Sequence, residues 1–188
     1  MSERFPVKMK SKSQSASEYR GERLLALTVR QARFIDAIAG RILPATDTPG
    51  AVEAGAVFYI DRILAGPYPH LLSRYGRGLR ALDKYARRQF GGAFEKLAPA
   101  KQDSALNDLE AGRIADLRDG EAFFDLLRTH VLEGVFGEPS YGGNRDMIGW
   151  KLVGFPGQQW GYPETYINKK VDIPPVTWEG LPKKPGQS

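Results

Sequence analysis

The chain is expected to fold as one all-α domain of about five to six helices, with an irregular, aromatic-rich carboxy-terminal region and extended tails. Three observations predict this. Apolar residues recur at three- and four-residue spacing through most of residues 28–135, the mark of helices with one buried face. No stretch alternates Val, Ile or Thr with polar residues for long enough to make a sheet. Breaking pairs interrupt the helical pattern at Leu43-Pro44, Gly66-Pro67 and Gly91-Gly92, as turns between helices do. At 188 residues, 41% of them hydrophobic, a single domain with a real core is the default.

Each helix has its own signals. Thr28 is placed to cap a helix over Val29–Ile42, in which Ile35, Ile38, Ala39 and Ile42 fall on one face. Leu43 ends it, because the residue before a proline avoids helical geometry. Thr48-Pro49 is the expected start of a second helix, running to Leu64 with Val57, Ile60 and Leu64 inward. The third, over about residues 68–90, is the longest. Leu71, Tyr75, Leu79, Leu82 and Ala86 make its apolar stripe, and Arg74, Arg77, Arg80, Lys84, Arg87 and Arg88 share the opposite face. A shorter helix is expected over residues 99–109, with Leu106 and Leu109 inward. Asp119 is placed to cap a helix running through Val135, along which Phe123, Leu127, His130 and Gly134 lie on one line.

The domain boundaries follow from composition. Residues 1–27, rich in Ser and Lys, read as a flexible or partner-wrapping arm. Residues 28–168 form the helical domain. Residues 169–188 form a Pro-rich extended tail, in which Trp178 and Leu181 can anchor the chain against a surface. The net charge of +5 sits entirely outside the body: the arm carries +3, the tail +2, and residues 28–168 balance seventeen basic against seventeen acidic residues. A nucleic-acid-binding domain would carry its excess on the folded body, so no nucleic-acid partner is expected. The chain has no cysteine, which excludes disulfides, thiol catalysis and haem attachment. No apolar run reaches the roughly 18 residues a membrane span needs, so no direct membrane insertion is expected.

Autonomous chemistry finds little support. A dinucleotide site needs a glycine-rich turn between a strand and a helix, and Gly76-Arg-Gly78 lies inside a helical pattern. No G-x-S-x-G elbow is present. Asp116 and Asp119 read as loop or cap carboxylates. His130 and Glu133 share a helix face at a ligand-compatible spacing, but a histidine in line with Phe123 and Leu127 is better read as a buried, hydrogen-bonded member of the core. Catalytic, cofactor-binding and metal residues are therefore expected to be absent.

The most informative stretch lies after Gly137: Tyr141-Gly-Gly-Asn-Arg-Asp-Met-Ile-Gly-Trp-Lys-Leu-Val-Gly-Phe-Pro156. It holds four glycines and three charges in sixteen residues, without a helix or strand period. Ordered irregular loops of this kind often carry function. Tyr141, Trp150, Phe155, Trp160, Tyr162 and Tyr166 give the region an aromatic density suited to an interface. Asn144 is suited to a left-handed turn after Gly142-Gly143, and Arg145 to an ion pair with Asp146 or Glu133. The expected partner-binding residues are Tyr141, Asn144, Arg145, Trp150, Phe155, Trp160, Tyr162 and Trp178, with Arg77, Arg80 and Arg87 as a secondary basic face, since arginine is enriched at interfaces.

Together with Phe123-Phe-Asp-Leu-Leu-Arg-Thr-His-Val-Leu-Glu-Gly-Val-Phe-Gly137, and with Ile42-Leu-Pro-Ala-Thr-Asp-Thr-Pro-Gly-Ala51 followed by Phe58-Tyr-Ile-Asp61, this stretch resembles the gluconate 2-dehydrogenase subunit 3 (small or gamma subunit) family over about residues 28–168. The resemblance implies a non-catalytic small subunit that binds and stabilises a large flavin-binding catalytic subunit of the glucose-methanol-choline oxidoreductase type. FAD is then expected on that partner, oxidation of a sugar, sugar acid or glycoside occurs there, and electrons pass to a cytochrome c subunit or another acceptor. The resemblance also implies a periplasmic complex exported through a twin-arginine leader. Residues 1–15 hold neither an apolar secretory core nor an Arg-Arg pair, so the partner carries the leader, a leader has been removed, or the complex stays in the cytoplasm. Two alternatives from other classes are a self-sufficient small enzyme using His130, Glu133 and the 141–156 loop, and a basic nucleic-acid-binding helical module.

Overall fold

The structure, a computed structural model, describes residues 18–162, 164–166, 169, 171 and 173–182. Six α-helices build it: α1 (Val29–Ile42), α2 (Ala56–Ala65), α3 (Leu72–Phe90), α4 (Pro99–Glu110), α5 (Gly120–Phe136) and α6 (Ile148–Val153). Among the described residues the strands are β1 (Glu18–Tyr19) and β2 (Glu22–Arg23), a minimal antiparallel hairpin. The chain is all-α, as its periodicity predicts. Among the described residues, no helix is long and apolar enough to cross a membrane.

Local chemistry accounts for most helix ends. Gln31 N–H donates to Thr28 Oγ1 (3.3 Å) while Thr28 N–H donates to Gln31 Oε1 (2.9 Å), a reciprocal cap that satisfies two amides. The start of α2 differs from expectation: it lies at Ala56, and Thr48-Pro49 belongs to a turn. Gly55 adopts φ 74°, a left-handed geometry that a right-handed helix does not contain, so the helix begins after it. Gly50 N–H is satisfied by Glu53 Oε2 (2.9 Å), and Ala51 N–H by Leu43 O (2.9 Å). A 3-10 turn, Pro69–Leu71, leads into α3, and Gly91 (φ 79°) ends it. Asp119 precedes α5 but does not cap it; its carboxylate pairs with Arg74 at 3.1 Å.

α5 is central and touches α1, α2, α3, α4 and α6. Two glycines give it that access. A Cβ at Gly134 would lie 2.9 Å from Ala56 Cα, so α2 and α5 meet at backbone distance, and one at Gly78 would overlap the Phe123 ring, which packs directly on the α3 backbone. Tyr75, Phe94, Phe123, Ile35, Ile38 and Leu127 are fully buried, each worth about 1.5–3 kcal/mol for the larger apolar side chains.

Residues 18–27, assigned to an arm by composition, pack on this body. Leu24 and Leu27 are buried. Asp61 of α2, itself only 2% exposed, accepts the amide protons of Leu25 (2.7 Å), Ala26 (3.0 Å) and Leu27 (2.7 Å). A short apolar run looked like a linker because what fixes it is a carboxylate far along the chain. Residues 1–17 and 183–188, the outer parts of the expected arm and tail, lie outside the described residues.

Candidate functional site

The last carbonyls of an α-helix lack intrahelical donors, and the glycine-rich stretch supplies them for α5. Asn144 N–H donates to Gly134 O (2.7 Å). Trp150 Nε1–H donates to Phe136 O (2.8 Å), and Asn144 Nδ2–H donates to Gly137 O (2.7 Å). Asn144 Oδ1 in turn accepts Gly149 N–H (2.8 Å). Only glycine fits at two points of closest approach: a Cβ at Gly143 would overlap Gly134 O, and one at Gly149 would overlap Val135 O. Asn144 takes the left-handed geometry expected of it (φ 45°, ψ 44°), and Asp146 and Met147 follow it there at φ 52° and 55°. The stretch is thus a cap ending in α6, more regular than its composition suggests. Asn144 and Trp150 are buried within it, so their main contacts are inside the fold.

Arg145 also faces inward, and its partner is neither Asp146 nor Glu133. It is ion-paired to Glu22 of β2, its guanidinium lies 4.0 Å over the Phe58 ring, and its N–H donates to Ala54 O (3.1 Å). The same junction holds Tyr19, whose hydroxyl donates to Asp36 Oδ2 (2.8 Å), and Arg20, which donates to Asp36 (3.2 Å) and to Val52 O (2.8 Å). Burial, and then the bond to Asp36, push the Tyr19 hydroxyl up to about 12. Burial raises the Asp36 carboxyl above its usual value against the opposing pull of Tyr19 and Arg20. Glu22, Asp36 and Asp61 are structural residues that sequence reasoning missed, because each acts on a segment distant in sequence.

The outward-facing aromatics lie elsewhere. Tyr141, Phe155, Trp160, Tyr162 and Trp178 are all more than 40% exposed. The tail returns across the cap through a parallel bridge between Gly157 and Val176, with Gln158 N–H to Val176 O at 2.8 Å and Val176 N–H to Pro156 O at 3.1 Å. Glu138 Oε1 accepts Trp178 N–H (3.2 Å), and Trp160 Nε1–H donates to Pro182 O (2.7 Å). The Trp160 and Trp178 rings sit 6.3 Å apart. A tail holding a tryptophan is laid against a surface, as its composition suggested. Beside it, Trp150, Phe155, Tyr162, Val171 and Ile173 line an open groove.

The α3 cations divide. Arg87 pairs with Asp83 (3.1 Å), Lys84 with Asp116 (3.0 Å) and Arg74 with Asp119. Arg77 and Arg80 project outward without a carboxylate among the described residues. Arg87, expected at a partner, pairs with Asp83 while its side chain stays 56% exposed.

His130 is buried, and its Nδ1 lies 2.7 Å from the Tyr75 hydroxyl. Its ring is parallel to those of Tyr68 and Tyr75, each 6.0 Å away. Glu133, one turn on, accepts the Tyr59 hydroxyl proton (2.9 Å). The pair does not converge, and among the described residues no group of three or more His, Asp or Glu side chains could hold a metal. Gly76 and Gly78 lie inside α3, Gly78 against Phe123, so they are packing glycines and not a dinucleotide turn.

Burial lowers the His130 pKa, and the Glu133 charge opposes this only in part. The unfolded chain thus binds a proton at pH values where the folded chain does not. Stability from this group is present above the ordinary value of 6.5 and is lost as pH falls below it. Denaturation midpoints measured through this window should decline with acid in the wild type. The decline should be shallower in His130→Gln; equal slopes would show that another group is responsible.

Comparison with curated proteins and with solved structures gives no match. A family model described as gluconate 2-dehydrogenase subunit 3 matches residues 29–157, from the first residue of α1 through the cap to the start of the tail bridge. The match covers more than half of the chain and all six helices, and the chain therefore belongs to the gluconate 2-dehydrogenase subunit 3 family.

Proposed function

We propose that this chain is a non-catalytic accessory subunit of an FAD-dependent dehydrogenase complex that oxidises a sugar, sugar acid or glycoside. It binds and stabilises a large flavin-binding subunit of the glucose-methanol-choline type, which carries the FAD and passes electrons to a cytochrome c subunit or another acceptor. The complex works in the periplasm, and this subunit aids its maturation or export.

One observation carries the reading beyond family membership. Of the twelve exposed large apolar side chains among the described residues, nine lie after residue 140. A surface that concentrates its apolar exposure in one quarter of its length is built for a partner. The contact is placed on Tyr141, Phe155, Trp160, Tyr162 and Trp178. Asn144, Arg145 and Trp150 support it from beneath by holding the cap. The placement of His130 fits a structural role: it is buried, bonded to the Tyr75 hydroxyl and flanked by the parallel rings of Tyr68 and Tyr75.

Co-expression with the large flavoprotein, affinity purification and an absorption spectrum test the reading. A stoichiometric partner with flavin bands is expected. Trp160→Ser/Trp178→Ser should keep the wild-type melting temperature, since neither ring is in the core. Its affinity for the partner should fall about 100-fold, the scale of two aromatic anchors. A wild-type affinity in that variant overturns the placement, and a colourless single chain overturns the function.

A further inference from the structure

α1 and α3 leave a groove between them with a floor of Phe34 and Leu79 and a rim of Arg30, Arg80 and Asp83. Its volume is about 280 Å³, below the ~300–1,000 Å³ usual for small-molecule sites and suited to one side chain of a macromolecule. The rim is unbalanced in charge. Six cations lie along α3, and four meet carboxylates: Arg74, Lys84, Arg87 and, at 3.8 Å from Asp116, Arg88. Arg77 and Arg80, which meet no carboxylate among the described residues, are three residues apart on one helix face, and Arg77 contacts Ser73 Oγ at 3.5 Å. Asp83 divides its charge between Arg87 and Arg30, and the Arg30 side chain remains 74% exposed.

We propose that this groove is a second docking site for the large subunit, taking an acidic segment that carries one apolar side chain. The proposal rests on the accessory-subunit reading. Carboxylates of the segment pair with the guanidiniums of Arg77 and Arg80, whose planar forks suit bidentate contact. The apolar side chain enters between Phe34 and Leu79. Charge complementarity selects an acidic partner, and the apolar floor selects a protein over a polyanion, because a phosphate backbone has nothing to place there. A nucleic acid also draws its affinity from several neutralised phosphates, more than two free arginines supply.

The test is the dissociation constant of the reconstituted complex across a salt series. Arg77→Glu/Arg80→Glu should weaken binding about 100-fold at low salt and flatten the salt dependence, because like charges would then face each other. Arg77→Gln/Arg80→Gln should weaken it about 10-fold. Both should melt with the wild type, since neither arginine pairs with a carboxylate among the described residues. Unchanged affinity in both variants, with the wild type still bound, overturns the groove and leaves the accessory-subunit reading standing. Absence of any complex with the wild-type chain overturns that reading and this one together. Binding of duplex DNA by the wild-type chain, lost in the charge-reversed variant, would make a nucleic acid the occupant and overturn the proposal.

Discussion

Replacing Gly143 with alanine is expected to leave the chain largely unfolded, while Gly161→Ala melts with the wild type. The two positions are eighteen residues apart in the same aromatic-rich region, and the substitution is the same. At Gly143 the new methyl would overlap Gly134 O, a backbone atom of the central helix that already accepts the Asn144 amide proton. Backbone inside a packed helix cannot swing aside as a side chain can, so the loop must lift. Lifting it deprives Gly134, which is buried, and Phe136 and Gly137, which are partly buried, of their donors; an acceptor left alone costs about 1–3 kcal/mol when fully buried and less when partly exposed. Over the three acceptors the loss reaches the lower end of a whole domain's stability, about 5–15 kcal/mol. At Gly161 nothing lies within 4 Å of a new Cβ and φ is not left-handed. Thermal melting of both variants decides the matter: coincident curves would mean that the cap is not held by close contact.

Asp61→Ala carries the second large effect. It removes one buried acceptor group and orphans three amides, those of Leu25, Ala26 and Leu27. Bonds to an ionised carboxylate are worth more than neutral ones, and a loss of at least about 3 kcal/mol is expected. Asp61→Asn should fall between the two. Its oxygen can serve Ala26 and Leu27, which share Oδ1 in the wild type, but its NH₂ would then face the Leu25 amide. Chemical denaturation of the three proteins should rank them wild type, Asn, Ala. If Asn and Ala proved equal, the carboxylate's charge and not its oxygens would be the source of the effect.

The sequence disclosed what was local. Thr28 ahead of an apolar stripe at helical spacing announces a capped helix, and Gly-Gly before Asn144 announces a left-handed turn. The spacing of His130 with Phe123 and Leu127 announces its burial. What escaped was set by distant chain. Nothing near Gly55 says that the Arg145 side chain will lie where its Cβ would be, so the delayed start of α2 could not be read. Arg145 looked as though it should pair with neighbouring acids because its true partner, Glu22, lies 123 residues away. The direction of the tryptophans was equally hidden. Trp150 and Trp160 both follow glycine-containing loops, yet only Trp150 falls beside the uncapped Phe136 carbonyl. Composition identified the aromatic surface as a region; only the geometry of the α5 terminus separates its members into those that close the core and those that face a partner.

The pairing of Glu22 with Arg145 also governs how the chain is completed during synthesis. At roughly 5–20 residues per second, Glu22 leaves the ribosome roughly 6 to 25 seconds before its partner. Asp61, only 36 residues after Leu25, emerges early and can gather residues 25–27 onto the nascent α2. The hairpin ahead of them can gain its Tyr19 and Arg20 contacts to Asp36 early, but its Glu22 must wait for Arg145 until nearly the whole helical body has been made. Any factor that meets the growing chain in this interval encounters Glu22 unpaired and the Phe58 face that Arg145 will cover still open.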